Sequence, residues 1–439
     1  MILAAKFVLA AFAAVTMIAL LSWRRREALT RRTHDLVLIT VLALSRISLF
    51  MLIFFVLGIE PHSDVTVYYS EAEAALHGAI PLVGIHTAYG PLFDEITAVA
   101  IACWHSPAAL VFLAILVELC SFPVWLKVAR EAFTERATRR AAVLYTLNPL
   151  AISTVAIGGQ NHVGISLLLA LSLLALLRNR EGWSGLSLGF SIIAVKFLSL
   201  LFAPVIFLAA RHRVKWTISF LIFPIAGYGA VALFGAHPVD QVVFHAYYTS
   251  SGNLPFLLTA AGLPLTAPQY RVVIDCLAFM LLCGTFIAAI LRFGRPDPPH
   301  LVLLCGFVLL ITLTVSPKAF ASYLIIGLFP LCLMVACQPK LPIPAAGFVA
   351  ICSLATLEPS LWFRWLQESG LDLLQRPIPR NVTQTHLTIF LLCELLLVGG
   401  YIWLAVITWR TMQRTQTTGG ERKSAWNGLI TAATTRGQS

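Results

Sequence analysis

Asp64 stands directly after a long apolar run, at the head of the stretch Asp-Val-Thr-Val-Tyr-Tyr-Ser-Glu-Ala-Glu-Ala-Ala. A carboxylate held at a membrane surface can take a proton from an attacking hydroxyl. The same place also suits a plain helix cap by Ser63 or Asp64, whose oxygens satisfy free backbone N–H groups. Position alone leaves both readings open. Lys196 interrupts an apolar stretch that has basic flanks at both ends, so two short helices meet beside it. Such breaks often frame ligand sites in membranes, although a lysine there can equally snorkel to the interface. Lys318 lies at the tip of a hairpin, in Ser-Pro-Lys, where a lysine is often solvated. His162 closes the turn Gly-Gly-Gln-Asn-His, close to Gln160. His62, His77 and His86 read as solvated loop residues, and Glu71 and Glu73 as the polar face of a helix.

Apolar runs, unbroken rather than alternating, supply the elements that must position these side chains. A helix of about 20 apolar residues crosses the hydrocarbon layer, and only a helix or a closed barrel satisfies its own backbone there. The expected fold class is therefore all-α: a polytopic integral membrane protein with about 13 transmembrane segments and interfacial helices in the first outer loop. The first run, Ala4 to Trp23, carries its basic cluster behind it, which predicts an uncleaved helix with its N-terminus outside. Leu36 to Gly58 then travels outward to the longest outer loop, Glu60 to Ser106. In that loop a helical pattern puts Tyr68, Ala72, Ala75 and Leu76 on one face and stops at Gly78. Pro91 to Trp104 is too short to span and lies at the interface, so that Pro107 to Lys127 delivers its basic cluster to the inner side.

Beyond it, Ala141 to Ile157 runs outward and Val163 to Leu177 returns. Ser184 to Ala210 forms the two short helices meeting near Lys196. Trp216 to Phe234 leads to a second outer loop, His237 to Gln269, and Arg271 to Leu291 returns. Leu301 to Val315 and Ala319 to Ala336 form the hairpin around Ser-Pro-Lys. Ile343 to Leu357 reaches a third outer loop, Pro359 to His386, before the last span, Leu387 to Trp409. The chain thus divides into three regions: residues 1–35 as an extra helix and basic inner loop, 36–409 as the transmembrane domain, and 410–439 as a basic inner tail without fixed structure.

Of 439 residues, 59% are hydrophobic and 12% charged, against roughly 25% charged in soluble domains. The net charge of +11 sits in clusters flanking the apolar runs, which orients spans rather than binding nucleic acid. The 9 cysteines lie almost wholly inside apolar segments without metal-ligand spacing, so neither disulfides nor a zinc site is expected. No internal repeat is present. Arg46 and Glu118 fall at similar depth, near the middle of successive antiparallel spans. A charge facing lipid there costs at least about 2.5–3.5 kcal/mol, which predicts that the two pair; the alternative, Arg46 reaching a phosphate, requires that phosphate to sit far below the surface.

The order and spacing of several motifs carry a resemblance. Asp64 with Tyr68 four residues on, an Ala-rich helix, Leu-His-Gly-x-x-Pro and then Tyr89-Gly90-Pro91-Leu92 resembles the first outer loop of the GT-C glycosyltransferases. The nearest subgroup is the bacterial polyprenol-phosphate-mannose-dependent α-mannosyltransferases. Gly159, Gln160 and Asn161, then a glycine-containing short helix ending at Lys196, are similar to a second family pattern. Ser-Pro followed by a tyrosine in Thr-Val-Ser-Pro-Lys-Ala-Phe-Ala-Ser-Tyr-Leu is similar to a third. The resemblance covers roughly residues 36–336. Leu82 departs from it where a tyrosine is usual after the loop proline. Asp94 and Glu95 depart from it by charging an interfacial helix that is usually more apolar.

The resemblance implies an enzyme that moves a hexosyl unit, mannosyl as first reading, from a polyprenyl-phosphate sugar to a hydroxyl of a glycolipid or polysaccharide. It implies Asp64 as catalytic base and Lys196, Lys318, His162, Gln160 and Tyr89 around the donor and its phosphate. Neither metal nor cofactor is implied. The expected location is the plasma (inner) membrane, multi-pass, with the catalytic side periplasmic or extracellular. The rival reading is a transporter or flippase of lipid-linked sugars. Such proteins usually show repeats and bind near the midplane, whereas polar density here gathers at the outer surface.

Overall fold

Backbone N–H and C=O groups inside hydrocarbon have no water to bond, so an apolar run closes its hydrogen bonds on itself as a helix. The chain follows that rule in a computed structural model describing residue 15 and residues 30–61, 63–85, 87–237, 250–263, 265, 270–362 and 384–436. Nearly all of the expected first span, most of the second and third outer loops, and His62 and His86 lie outside the described residues.

In chain order the helices are α1 (Arg31–Phe50, prolonged by a wide turn Met51–Val56), α2 (Val65–Leu76), α3 (Phe93–Cys103) and α4 (Pro107–Ala132). Next come α5 (Glu135–Thr146), α6 (Pro149–Ile157), α7 (His162–Leu177) and α8 (Glu181–Ala194). A tight turn of helix, Phe197–Phe202, leads into α9 (Ala203–Ala209), then α10 (Arg213–Leu233), α11 (Leu254–Ala260), α12 (Arg271–Phe293) and α13 (Pro298–Val315). A second tight helix, Ala321–Gly327, leads into α14 (Leu328–Ala336), α15 (Pro342–Trp362) and α16 (Gln384–Arg436). Among the described residues β-structure amounts to one bridge, Pro81 to Ile85.

The protein is an all-helical, multi-pass membrane protein. Among the described residues six helices are long and apolar enough to cross a membrane, seven if the pair α5–α6 counts as one. Four shorter apolar stretches, His162–Leu177, Phe197–Ala209, Ala321–Ala336 and Pro342–Glu358, fill the bundle. The thirteen segments expected from hydropathy exceed that number, partly because short embedded helices and full spans look alike in sequence.

Other differences have local causes. The single outward run Ala141 to Ile157 is bent by 43° between α5 and α6. Proline pushes the residue before it out of the helical region, and Asn148, extended before Pro149, caps the new helix by accepting from Leu150 N–H at 3.0 Å. The tail does not become irregular at Arg410: α16 continues to Arg436. Its turns at Thr411 and Met412 are held by Gln338 Nε2, 2.7 Å from Thr411 Oγ1, and His300 Nε2, 2.7 Å from the Met412 carbonyl.

The core joins α4, α7 and α14 through Trp125, which stacks on Phe329 with ring centroids 5.6 Å apart and donates to Ser166 Oγ at 3.0 Å. A second cluster packs the outer loop onto the bundle, with Tyr68, Tyr89 and Phe93 against Val111 and Val155. That packing ties the polar residues of the loop to the helices beneath them.

Candidate functional site

Asp64 holds the N-cap position of α2, yet its carboxylate makes no capping bond. Ser63 does that work, its Oγ accepting from Val65 N–H at 3.3 Å while donating to the Gly158 carbonyl at 2.7 Å. The Asp64 side chain is therefore free to face outward, and Oδ2 accepts from Gln160 Nε2 at 3.2 Å. Gln160 reaches it because the turn before it comes very close to α2. Gly159 has φ +55°, and a Cβ there would lie 2.6 Å from Val65 Cγ2 and 3.0 Å from Val111 Cγ2. Only glycine allows that approach.

The Tyr68 hydroxyl lies 3.5 Å from Asp64 Oδ2 and 3.4 Å from Gln160 Oε1, long contacts between which its one proton is shared. It accepts in turn from the Tyr89 hydroxyl at 3.2 Å. Burial foremost, with the Asp64 charge adding to it, pushes both phenols well above the ordinary tyrosine range, so both stay neutral donors.

The Tyr-Gly-Pro-Leu turn is a backbone clamp. Helix α8 stops at Ala194 because Val195 and Lys196 leave helical geometry, which opens the last carbonyls of the helix. Gly90 N–H donates to the Val195 carbonyl at 3.0 Å and Leu92 N–H to that of Ile193 at 2.9 Å. A Cβ on Gly90 would sit 2.3 Å from the carbonyl oxygens of Ile192 and Ile193. The expected break near Lys196 is thus present, and the clamp presents that lysine to Tyr89. Lys196 Nζ lies 5.3 Å from the Tyr89 ring centroid and 5.5 Å from that of Tyr323, and it donates to Tyr323 Oη at 3.2 Å. Two aromatic faces suit a cation, and Lys196 is only 7% exposed.

His162 lies against Tyr323, ring centroids 4.6 Å apart and planes tilted by 51°, and is 3% exposed with neither ring nitrogen partnered in the protein. Both amide atoms of Asn161 are buried and unpartnered as well. An unsatisfied buried polar group costs about 1–3 kcal/mol, so an imidazole and an amide left open beside a buried ammonium favour a ligand rich in oxygens.

Asp64, Gln160, Tyr89, Lys196 and His162 are thus brought together around Tyr68 and Tyr323. Lys318 has a different partner: its Nζ is held by Asp275 Oδ2 of α12 at 2.6 Å. Tyr323 and Asn161 are the residues that reading for roles passed over. Glu71 corrects another expectation: it is not part of a solvated face but 8% exposed, while Asp94 is fully buried. Glu71 lies three residues after Tyr68 and so shares its inward face. Burial foremost, then the Asp94 charge, pushes Glu71 up to about 8; burial, then Glu95, pushes Asp94 up to about 7. Glu71 bonds Thr87, whose Oγ1 accepts from Tyr89 N–H at 3.2 Å.

Residues 83–317, more than half of the chain, match the sequence model of Glycosyltransferase family 87. The chain belongs to glycosyltransferase family 87. The family-87 match takes in the Tyr89–Leu92 clamp, Gln160 to His162, and Lys196, while Asp64 lies before it and Tyr323 after it. No curated protein matches the chain. Among solved structures it is similar to ArnT from Cupriavidus metallidurans bound to undecaprenyl phosphate, with TM-score 0.51 and 12% identity over 88% of this chain and 79% of that one. A looser likeness, TM-score 0.39 and 13% identity, covers 86% of this chain and 56% of the archaeal oligosaccharyltransferase AglB from Archaeoglobus fulgidus, solved with an inhibitory peptide and a dolichol-phosphate. At such identity the ArnT likeness is one of fold. The GT-C fold and the glycosyltransferase class expected from the motifs are borne out, and this family-87 protein is a membrane glycosyltransferase.

Proposed function

We propose that the enzyme moves a hexosyl unit, mannosyl first, from a polyprenyl-phosphate sugar to a hydroxyl of a glycolipid or polysaccharide. The reaction takes place at the outer, periplasmic or extracellular, face of the plasma (inner) membrane. One observation carries this reading: the Asp64 carboxylate and the Lys196 ammonium stand at the two ends of a single hydrogen-bonded tyrosine pair, Tyr68 and Tyr89. A displacement at an anomeric carbon needs a base on the acceptor and positive charge on the leaving group.

In the proposed step the acceptor oxygen attacks the anomeric carbon while Asp64 takes its proton. The bond from that carbon to the phosphate oxygen breaks, and polyprenyl phosphate leaves with the electron pair. Lys196 offsets the charge developing on the phosphate, while His162, Gln160 and Tyr89 supply hydrogen bonds to donor oxygens. Lys318 joins them by giving up Asp275. A single displacement inverts the anomeric configuration. Residues 36–409 form the catalytic unit. Undecaprenyl phosphate in a protein of the same fold supports a lipid phosphate as carrier. Family membership favours this reading over a transporter of lipid-linked sugars.

The test is transfer by the purified protein in lipid nanodiscs, supplied with radiolabelled polyprenyl-phosphate mannose or glucose and a lipid-extract acceptor. Labelled product with an inverted linkage by NMR is expected. Use of a nucleotide sugar without any lipid carrier would overturn the reading, and so would movement of the intact donor across the bilayer without transfer.

A further inference from the structure

A cavity of about 830 Å³ opens at the other end of the bundle from Asp64. His162 and Lys196 mark the site ends of α7 and α8. The far ends meet at Glu181, whose Oε1 accepts the backbone N–H groups of Arg211 and His212 at 3.0 and 3.3 Å. The 16 residues of α7, at a rise of about 1.5 Å each, separate the two ends by about 24 Å.

Arg211, Arg213, Lys215 and Arg295 line this cavity, with Val214 and Ile218 as apolar wall. Dispersed basic residues are enough to orient a span; here four permanent cations share one concavity. Two are held in place. The Arg213 guanidinium lies 5.5 Å from the Phe207 ring centroid, and Arg295 donates to the Ala209 carbonyl at 2.7 and 3.1 Å. The cavity also lies at the N-terminus of α10, a helix of 21 residues whose N-cap His212 makes no side-chain capping bond. First-turn N–H groups thus add to the positive end. Below the charges, α10 bares Ile218, Leu221, Ile222 and Ile225. A flank that apolar belongs against lipid.

We propose that this cavity binds the phosphate head of an anionic membrane lipid, whose acyl chain lies along the Ile218–Ile225 flank of α10. Basic pockets between membrane helices hold such head groups by charge. The apolar flank separates a lipid from free phosphate, which shares the head-group chemistry.

Native mass spectrometry of the detergent-purified full chain, titrated with phosphatidylglycerol, phosphatidylcholine or inorganic phosphate, tests this. Phosphatidylglycerol should bind at least about tenfold more tightly than phosphatidylcholine, and R211Q/R213Q/K215Q should abolish that preference. Equal retention of the two lipids by the wild type would overturn the proposal, and so would an undiminished preference in the triple variant. Displacement of phosphatidylglycerol by inorganic phosphate at equal concentration would overturn the lipid assignment. Should the triple variant not fold, hydrogen exchange on the wild type decides: phosphatidylglycerol must protect residues 210–219, and phosphatidylcholine must not.

Discussion

Arg46 and Glu118 grip each other through two hydrogen bonds, Nε to Oε2 and Nη2 to Oε1, both at 3.0 Å, with neither side chain exposed. Counting residues along two spans predicts this pair. What counting does not show is the third arm: Arg46 Nη1 donates to the Thr146 carbonyl at 3.0 Å, where α5 ends at the bend. The pair therefore also splints a broken helix. Removing either partner alone should cost about 3–5 kcal/mol, since it strands a buried charge, while R46M/E118L together should cost less than the sum. Thermal unfolding in a double-mutant cycle measures this. Additive losses would show that the two do not act as a pair.

Asp64→Asn should lower sugar transfer at least about 10²-fold, the lower end for general base catalysis. Its melting temperature should stay at the wild-type value, because the carboxylate caps nothing. Labelled-donor turnover beside a melting curve checks both. Retention of more than about a tenth of the activity is inconsistent with a base.

Lys196→Ala should raise the donor KM at least about tenfold, as loss of a charged hydrogen bond to phosphate does, and Lys196→Arg should recover part of it. Lys318→Ala should weaken donor binding less than Lys196→Ala does and Asp275→Ala should not weaken it, while both change stability by about 0–1 kcal/mol, because their ion pair is partly exposed. Donor titrations and melts on the four variants separate these roles. A donor affinity unchanged in Lys196→Ala removes that residue from the site.

Gly90→Ala places a methyl group against two backbone carbonyls that cannot yield cheaply. Lower melting temperature and a loss of donor affinity resembling that of Lys196→Ala are expected, because the clamp that seats Lys196 is forced open. A variant with wild-type affinity and melting would show that the clamp is dispensable.

Glu71 and Asp94 set a pH dependence with a definite sign. Their carboxyls are raised from 4.5 to about 8 and from 3.8 to about 7. Each binds its proton more tightly in the folded protein than in the unfolded chain. The stability this contributes is full below the unfolded values and is lost as pH rises through the folded ones. The melting temperature should therefore fall between about pH 4 and pH 8, and E71Q/D94N should flatten that slope. A double variant with the wild-type slope would contradict it.

The polar residues that show in the sequence are those whose surroundings make them costly. Lys196 breaks an apolar run, and Arg46 and Glu118 need partners at depth. Gln160 stands in a turn between two spans. Tyr323 shows in the sequence as the tyrosine of a motif but without a role, because its partner Lys196 is 127 positions away. The Lys318–Asp275 pair hides because no depth count relates a hairpin tip to the start of α12. Glu71 could have been placed inside from its spacing to Tyr68, but a lone helix pattern does not tell that α3 covers it. The bend at Asn148 and Pro149 was written in the proline and masked by the apolar residues around it.

The two backbone bonds from Gly90 and Leu92 to Val195 and Ile193 tie segments far apart in the chain into one rigid piece. Engineering has to respect that join. Grafting the first outer loop of another family-87 enzyme, in order to change the acceptor, would misfit the lysine seat unless residues 191–196 travelled with it. A displacement of either segment is therefore carried into the other.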